Sequence, residues 1–379
     1  MRVAVAGAGI FGTTAALTLR RRGHDVVLID PGPLPHPNAA STDISKLIRM
    51  EYGDDGFYTA LMERCFEGWH AWNGGWPRPL YHEDGILVMC REAMEKGSFE
   101  GDSFAVLQQR GHAPERLSES VIASRFSSWR GYSDGYFNGR AGWAESGEVT
   151  ATLHAEAKNA GVAFEHASII GVLGEEKVDG IRTDRGDLVA DAVVLAVGAW
   201  TPHLLPELSD RMTPIGQPVM HFRVDAETYG AEVFPPWAAD IGNTGWYGFP
   251  PRADGTLKVA NHGIGIPTDP TGPRLIPTEW EAKFRAFFED HVPGIAEAPL
   301  IGTRLCLYCD TFDGDFFICR HPERKGLIVS TGGSGHGFKF APVLGGLAAD
   351  AVEGVDNATL DRFRWRALGE RHTEDARNA

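Results

Sequence analysis

Residues 2–30 read RVAVAGAGIFGTTAALTLRRRGHDVVLID, and the order of their parts decides the fold. Arg2 to Ala6 is a short apolar run, which predicts a fully buried strand. The turn GAGIFG follows at 7–12, Thr13 to Arg22 has helical composition, and Gly23 ends that helix. Asp25 to Ile29 predicts a second parallel strand that delivers Asp30 to its carboxyl end, completing a βαβ unit. Gly7 permits the tight turn, Gly9 lets backbone approach a pyrophosphate, Gly12 lets helix pack on strand, and free helix N–H groups face phosphate charge. Asp30 accepts hydrogen bonds from ribose hydroxyls, which favours a free 2′-OH over a 2′-phosphate. FAD or NAD fits this unit; NADP fits less well. A glycine motif alone is a weak signal, whereas the ordered unit is a strong one.

Outward from this unit, Ala151 to Asn159 predicts a helix stopped by Gly161, and VAFEHAS (162–168) and IIGVL (169–173) predict strands. DAVVLAV (191–197) predicts another buried strand ending in Gly198-Ala199-Trp200. Strands of this kind are expected in the same sheet as residues 1–30. Between Pro214 and Cys309 the texture changes to alternating, aromatic-rich segments: PVMHFRV (218–224), GWYGF (245–249) and TLKVA (256–260). These predict a mixed or antiparallel sheet in a second domain. A helix is expected from Thr278, with Glu281 completing a capping box and Trp280, Phe284, Phe287 and Phe288 forming a core-facing stripe. Pro251 to Thr256 reads as a turn and Pro267 to Pro277 as a loop.

The chain has 379 residues, 36 Lys plus Arg against 51 Asp plus Glu, and a net charge of −15. Its longest basic run is Arg20–Arg22, so nucleic acid is not expected as a partner. At 43% apolar and 23% charged the composition is that of an ordinary globular protein, of a length for roughly two domains. The cysteines, Cys65, Cys90, Cys306, Cys309 and Cys319, are odd in number and too sparse for a disulfide scaffold, which points to a reducing compartment. No stretch approaches the ~20 apolar residues of a membrane span, and the opening lacks the apolar core of a signal peptide. The expectation is a cytoplasmic enzyme, monomeric or a small homo-oligomer, with no membrane partner. Ala376 to Ala379 do not form a peroxisomal Ser-Lys-Leu address.

The most informative region is RLCLYCDTFDGDFFICRHPERKGLIVSTGGSGHGFKFAPVLGG, residues 304–346. Together with GAGIFG, ASTDISKLIRMEYGD (40–54), DAVVLAVGAW (191–200) and YGFPPRADGTLKVANHG (247–263), it resembles the monomeric sarcosine oxidase family. That family includes N-methyltryptophan, pipecolate and saccharopine oxidases and the fructosyl amino acid oxidases, within the D-amino-acid oxidase superfamily. The resemblance covers nearly the whole chain. It implies an α/β fold of two domains: a Rossmann-type FAD-binding domain (1–78, 141–209, 312–379) interleaved with a mixed or antiparallel-sheet substrate domain (79–140, 210–311).

The resemblance also implies roles. Covalent attachment of FAD falls on Cys306, where a thiolate would add to the flavin. Cofactor contacts fall on Gly7, Gly9, Ile10, Phe11, Gly12 and Asp30, on Ser41, Thr42, Lys46 and Leu47, and on Ile169, Gly198 and Trp200. In SGHGFKF they fall on Gly333, Gly335, His336, Gly337 and Lys339, the glycines letting backbone pass close to the flavin. Lys258 matches the oxygen-activating lysine, whose fixed cation stabilises the negative charge that develops on O2. His262 matches a substrate-facing histidine, Arg49 and Lys339 match the cations that hold a substrate carboxylate, and Tyr247 and Tyr308 match pocket-lining aromatics. Cys306 and Cys309 form a CxxC that alone suggests a redox pair or half a zinc site. With no second CxxC or histidine pair beside it, no metal is expected.

Two departures narrow the substrate. Lys46 stands where sarcosine oxidases proper carry arginine, as in the pipecolate, saccharopine and fructosyl branches, and His262 stands where the fructosyl amino acid oxidases place glutamate. The expected activity is oxidation of a secondary amine that bears a carboxylate, an N-alkyl or cyclic amino acid, to an imine with release of hydrogen peroxide. A fructosyl amino acid oxidase is the alternative. A flavin-binding subunit or dehydrogenase with another electron acceptor is a third reading.

Overall fold

The computed structural model describes residues 1–372. The expectations for residues 373–379, the last part of the cofactor domain and the closing tetrapeptide, lie outside the described residues.

The βαβ unit forms as its sequence dictates: strand Arg2–Ala6, helix Ile10–Arg21 and strand Asp25–Asp30, with Gly23 at positive φ where the helix ends. These strands lie in a six-stranded sheet whose order runs 317–320, 327–331, 192–195, 2–6, 25–30, 163–166. All pairings are parallel except that of 317–320 with 327–331. Side chains of a strand alternate between its faces, and here both faces are covered. Val3, Val5, Val26, Leu28 and Val194 enter one core, roofed by the helices 10–21, 146–159 and 341–353. Ala4, Ala6, Val27, Ile29 and Val193 enter another core on the opposite face. Continuous apolar runs rather than alternation are the result, which is why the strands read as buried.

The opposite face is covered by a three-stranded antiparallel sheet of 169–173, 180–183 and 186–189. This corrects one expectation: IIGVL (169–173) does not join the parallel sheet. It pairs antiparallel with 180–183, and the two residues 167–168 after strand 163–166 are enough to turn the chain onto the other layer. The helix expected from Ala151 begins at Ser146.

A second, nine-stranded sheet runs in the order 266–267, 212–223, 256–261, 246–248, 237–239, 86–90, 134–138, 115–118, with 300–311 also paired to 212–223. Helix Glu279–His291 covers one face, burying Phe284, Phe287 and Phe288 against Phe222, Trp237 and Val259. Burial of each such ring stabilises the sheet by roughly 1.5–3 kcal/mol. The capping box does not form, because Thr278 already has helical dihedrals and its hydroxyl caps nothing. Among the described residues, no helix is long and apolar enough to cross a membrane.

Candidate active site

The glycine turn opens a cavity of about 460 Å³ at the carboxyl ends of the parallel strands. Gly7 holds φ +94°, and a Cβ there would sit 2.5 Å from the Ala196 carbonyl oxygen. A Cβ on Gly12 would sit 1.8 Å from the Gly7 oxygen, so helix and turn touch through bare backbone. Gly7, Gly9, Ile10, Phe11, Asp30, Ser41, Lys46, Ile169, Gly198, Trp200, Gly333, Gly335 and Gly337 line the cavity. Gly12 packs behind the turn, and the Thr42 hydroxyl turns away to donate to the His36 oxygen at 2.7 Å. Asp30 organises the loop as well as facing the cavity: the Ala8 and Gly32 N–H groups donate to its two oxygens at 2.8 and 2.9 Å. Two further supports are not legible from the motif. Ser41 Oγ accepts from the Ile10 N–H at 3.2 Å, and His154 Nε2 lies 2.9 Å from the Ala8 oxygen. Facing a carbonyl, that nitrogen is the donor, and burial keeps the ring neutral by pushing its pKa down.

A smaller pocket of about 50 Å³ adjoins this cavity and shares Lys46, Tyr308, Gly335 and Phe338 with it. It collects Leu47, Arg49, Tyr247, His262, Tyr308, His336 and Lys339 from five separate parts of the chain. Arg49 and Lys339 are 6% and 4% exposed and converge on one ring: the Arg49 guanidinium lies 5.3 Å and Lys339 Nζ 4.7 Å from the centre of Tyr52. Tyr52 is thereby a site residue that the family motif did not single out. Its hydroxyl lies 2.9 Å from His336 Nδ1, whose Nε2 faces the Gly314 oxygen at 3.0 Å. The carbonyl makes Nε2 the protonated nitrogen, so Tyr52 donates to Nδ1. Helix Gly56–Gly75 steadies the segment, the Thr59 hydroxyl donating to the Met50 oxygen at 3.1 Å. Two desolvated cations on an aromatic wall have the charge and the donors to receive a small carboxylate, although the Arg49 guanidinium also donates to the Glu51 carbonyl.

Lys258 lines neither space but lies just behind them. It is 1% exposed, donates to the Ser45 oxygen at 2.6 Å and lies 2.7 Å from Asp43 Oδ2 in an ion pair. Burial pushes its pKa down to about 8 against the opposing pull of Asp43. Cys306 is also buried, with Lys46 Nζ 3.7 Å from its sulfur. Burial alone would raise this thiol's pKa, but Lys46 and Arg304 outweigh it and lower it. The other cysteines move the opposite way, Cys309 and Cys319 to about 12 by burial. Cys306 and Cys309, three apart on the strand Leu300–Thr311, point to opposite faces and make no redox pair. Elsewhere, Cys90, Glu100 and Asp240 place ligand-type atoms within 4.8 Å of one another, but Asp240 accepts from Arg91 at 2.6 Å and Glu100 from the Gly242 N–H at 3.0 Å.

A family model described as FAD dependent oxidoreductase matches residues 2–351. The chain belongs to that family. This oxidoreductase is 28% identical over 357 residues to monomeric sarcosine oxidase of Bacillus sp. (strain B-0618), covering 90% of each chain. It is 28% identical over 376 residues to N-methyl-L-tryptophan oxidase of Salmonella arizonae, covering 95% of this chain and 97% of that protein. L-saccharopine oxidase of Schizosaccharomyces pombe is 26% identical over 418 residues. Among solved structures, the deglycating enzyme fructosamine oxidase (Amadoriase II) from Aspergillus fumigatus superimposes with a TM-score of 0.83 at 25% identity, covering 96% of this chain and 89% of that one. The residues present fit FAD: a backbone cradle a Cβ would fill, a helix N-terminus, an acid at the second strand's end and a cavity of suitable size.

Proposed function

We propose that this flavoprotein oxidises small secondary amines that carry a carboxylate, N-alkyl or cyclic amino acids, yielding an imine and hydrogen peroxide. The observation that carries this reading is the pair of buried cations, Arg49 and Lys339, set on the Tyr52 ring beside the dinucleotide cavity. FAD, when bound, accepts the electrons of the C–H bond and passes them to O2. The chain's own residues do the rest. Arg49 and Lys339 hold the carboxylate and so orient the amine-bearing carbon, a positioning effect that supplies several kcal/mol. Their charge disfavours a second cation in the pocket, so the amine binds in its neutral, reactive form. Tyr247, Tyr308 and His262 wall the pocket and exclude water. Lys258 supplies fixed positive charge for oxygen reduction. No residue is needed as a general base.

Attachment of FAD through Cys306 is part of the proposal, supported by the lowered thiol pKa beside Lys46 and Arg304. Residues 1–78, 141–209 and 312–372 are proposed to form the FAD-binding domain and 79–140 and 210–311 the substrate domain, with Cys306 reaching the cofactor from the second and Arg49 and Lys339 reaching the substrate from the first. His262 in the pocket wall, where the fructosyl branch is expected to carry glutamate, favours an imino acid over a sugar adduct. A peroxide-coupled screen of N-methyl, cyclic and fructosyl amino acids tests the reading, with the matching amines lacking a carboxylate as controls. Turnover of carboxylated secondary amines is expected. Reduction of a quinone or dye without peroxide would replace the oxidase reading by a dehydrogenase; turnover confined to fructosyl compounds would make it a deglycating oxidase.

A further inference from the structure

Asp43 lies in none of the roles above, yet it is the acid at the centre of the cations behind the pocket. Its side chain is 2% exposed and lies 2.7 Å from Lys258, itself 1% exposed. The other carboxylate oxygen accepts from the Ile44 N–H at 2.7 Å and lies 3.4 Å from His221 Nε2. The backbone around it is fixed: the Asp43 carbonyl accepts from the Ser146 hydroxyl and the Gly147 N–H, each at 2.8 Å, at the start of helix 146–159. The groups facing the pair come from every neighbouring strand. His221 is the register partner of Lys258 on strand 212–223, Arg304 and Cys306 lie on strand 300–311, and Lys46 opens strand 46–48.

A buried ammonium with no counter-charge releases its proton rather than remain desolvated. Here burial and the neighbouring Lys46 both act against the charge on Lys258, and Asp43 is the principal group acting for it. The Asp43 carboxyl is itself held well below its usual range, chiefly by Lys258 against the cost of burial, so it stays anionic at every working pH. We propose that Asp43 is a positioning residue for the oxygen-reducing half of the reaction: anchored on the start of helix 146–159, its carboxylate holds Lys258 in place and keeps it charged. This rests on the reading that Lys258 serves O2.

The test uses purified holoprotein, reduced anaerobically and mixed with oxygenated buffer across pH 6–9.5, for wild type, Asp43→Asn and Lys258→Met. Wild-type reoxidation is expected to slow as pH rises through about 8, where Lys258 loses its proton. An opposite charge in contact shifts a pKa by about 1–3 units. In Asp43→Asn the fall should therefore begin at least about one unit lower, making reoxidation at pH 8 about fivefold or more slower. A second readout does not depend on turnover. A lysine whose folded pKa lies below its unfolded value of about 10.4 binds fewer protons folded than unfolded between the two values, so stability rises with pH across that window. Removing Asp43 extends the window downward, so the melting temperature of Asp43→Asn should climb more steeply between pH 7 and 8 than that of the wild type, whose own window opens only near pH 8. Adding Lys258→Met to Asp43→Asn should abolish the extra climb. If Asp43→Asn fails to retain flavin, Asp43→Ser removes the charge without bulk and carries the same expectations. A wild-type pH limit and a wild-type melting profile in the Asp43 variant, with Lys258→Met slow, would overturn the proposal while leaving the oxidase reading intact. Wild-type reoxidation in Lys258→Met would overturn the underlying role of Lys258 itself.

Discussion

Replacement of Lys339 by methionine isolates one charge of the proposed carboxylate site. The side-chain stem keeps its length, and the backbone stays anchored because the Lys339 carbonyl accepts from Trp69 Nε1 at 2.8 Å. Two unit charges ~4 Å apart interact by about 4 kcal/mol at an effective dielectric constant of ~20. Arg49 remains and water re-solvates part of the exposed carboxylate, so the expected loss is about 2–4 kcal/mol, in line with truncating one partner of a buried charge pair. At 1.4 kcal/mol per tenfold, the rate of anaerobic flavin reduction at low substrate should fall about 30- to 700-fold. The loss should appear with carboxylated secondary amines and vanish for the same amines without the carboxylate. Stopped-flow reduction at several substrate concentrations separates this from a general defect. An equal loss for both substrate classes, or less than about threefold for the carboxylated one, would refute the assignment of Lys339 to the carboxylate.

The remaining expectations follow from the same geometry. On acid precipitation the wild type should keep flavin on the peptide containing Cys306, and Cys306→Ser should release all yellow colour into the supernatant. Because Lys46 heads the cations that lower the Cys306 thiol, Lys46→Met should slow attachment in flavin-free protein given FAD at pH 7, with recovery as pH rises and the thiolate returns. Tyr52→Phe removes the hydrogen bond to His336 while keeping the ring and should cost about 1 kcal/mol, a roughly fivefold rise in apparent KM. Tyr52→Leu, which also removes the ring under both cations, should cost more than Tyr52→Phe by the same measure. In Gly12→Ala the new methyl meets the Gly7 oxygen at 1.8 Å, so purified protein should lose flavin absorbance at 450 nm or fail to fold, as read from flavin content and circular dichroism.

What the sequence disclosed depended on how local the causes were. The βαβ unit was legible because strand, turn and helix residues act on neighbours a few positions away: Gly7 and Gly12 meet each other, and Asp30 bonds Ala8 and Gly32. IIGVL was legible as a strand but not as part of the antiparallel layer, since pairing with 180–183 leaves no mark in five apolar residues. The box at Thr278 was a motif without its backbone geometry. Arg49, Lys339, Tyr247, His262 and Tyr308 could be marked by family resemblance, and they line one pocket. Tyr52 and Asp43 could not be found by spacing, because the groups that give them meaning, His336 and Lys258, lie hundreds of residues along the chain and meet them only through the fold.

The central claim is that a carboxylated secondary amine delivers its electrons through this site to oxygen. It is tested most directly by titrating the purified, flavin-loaded protein anaerobically with such an amino acid and then admitting air. The 450 nm absorbance should bleach with the amino acid but not with its decarboxylated counterpart, and should return in air with one hydrogen peroxide per flavin. Bleaching that ignores the carboxylate, or colour that returns without peroxide, would contradict it.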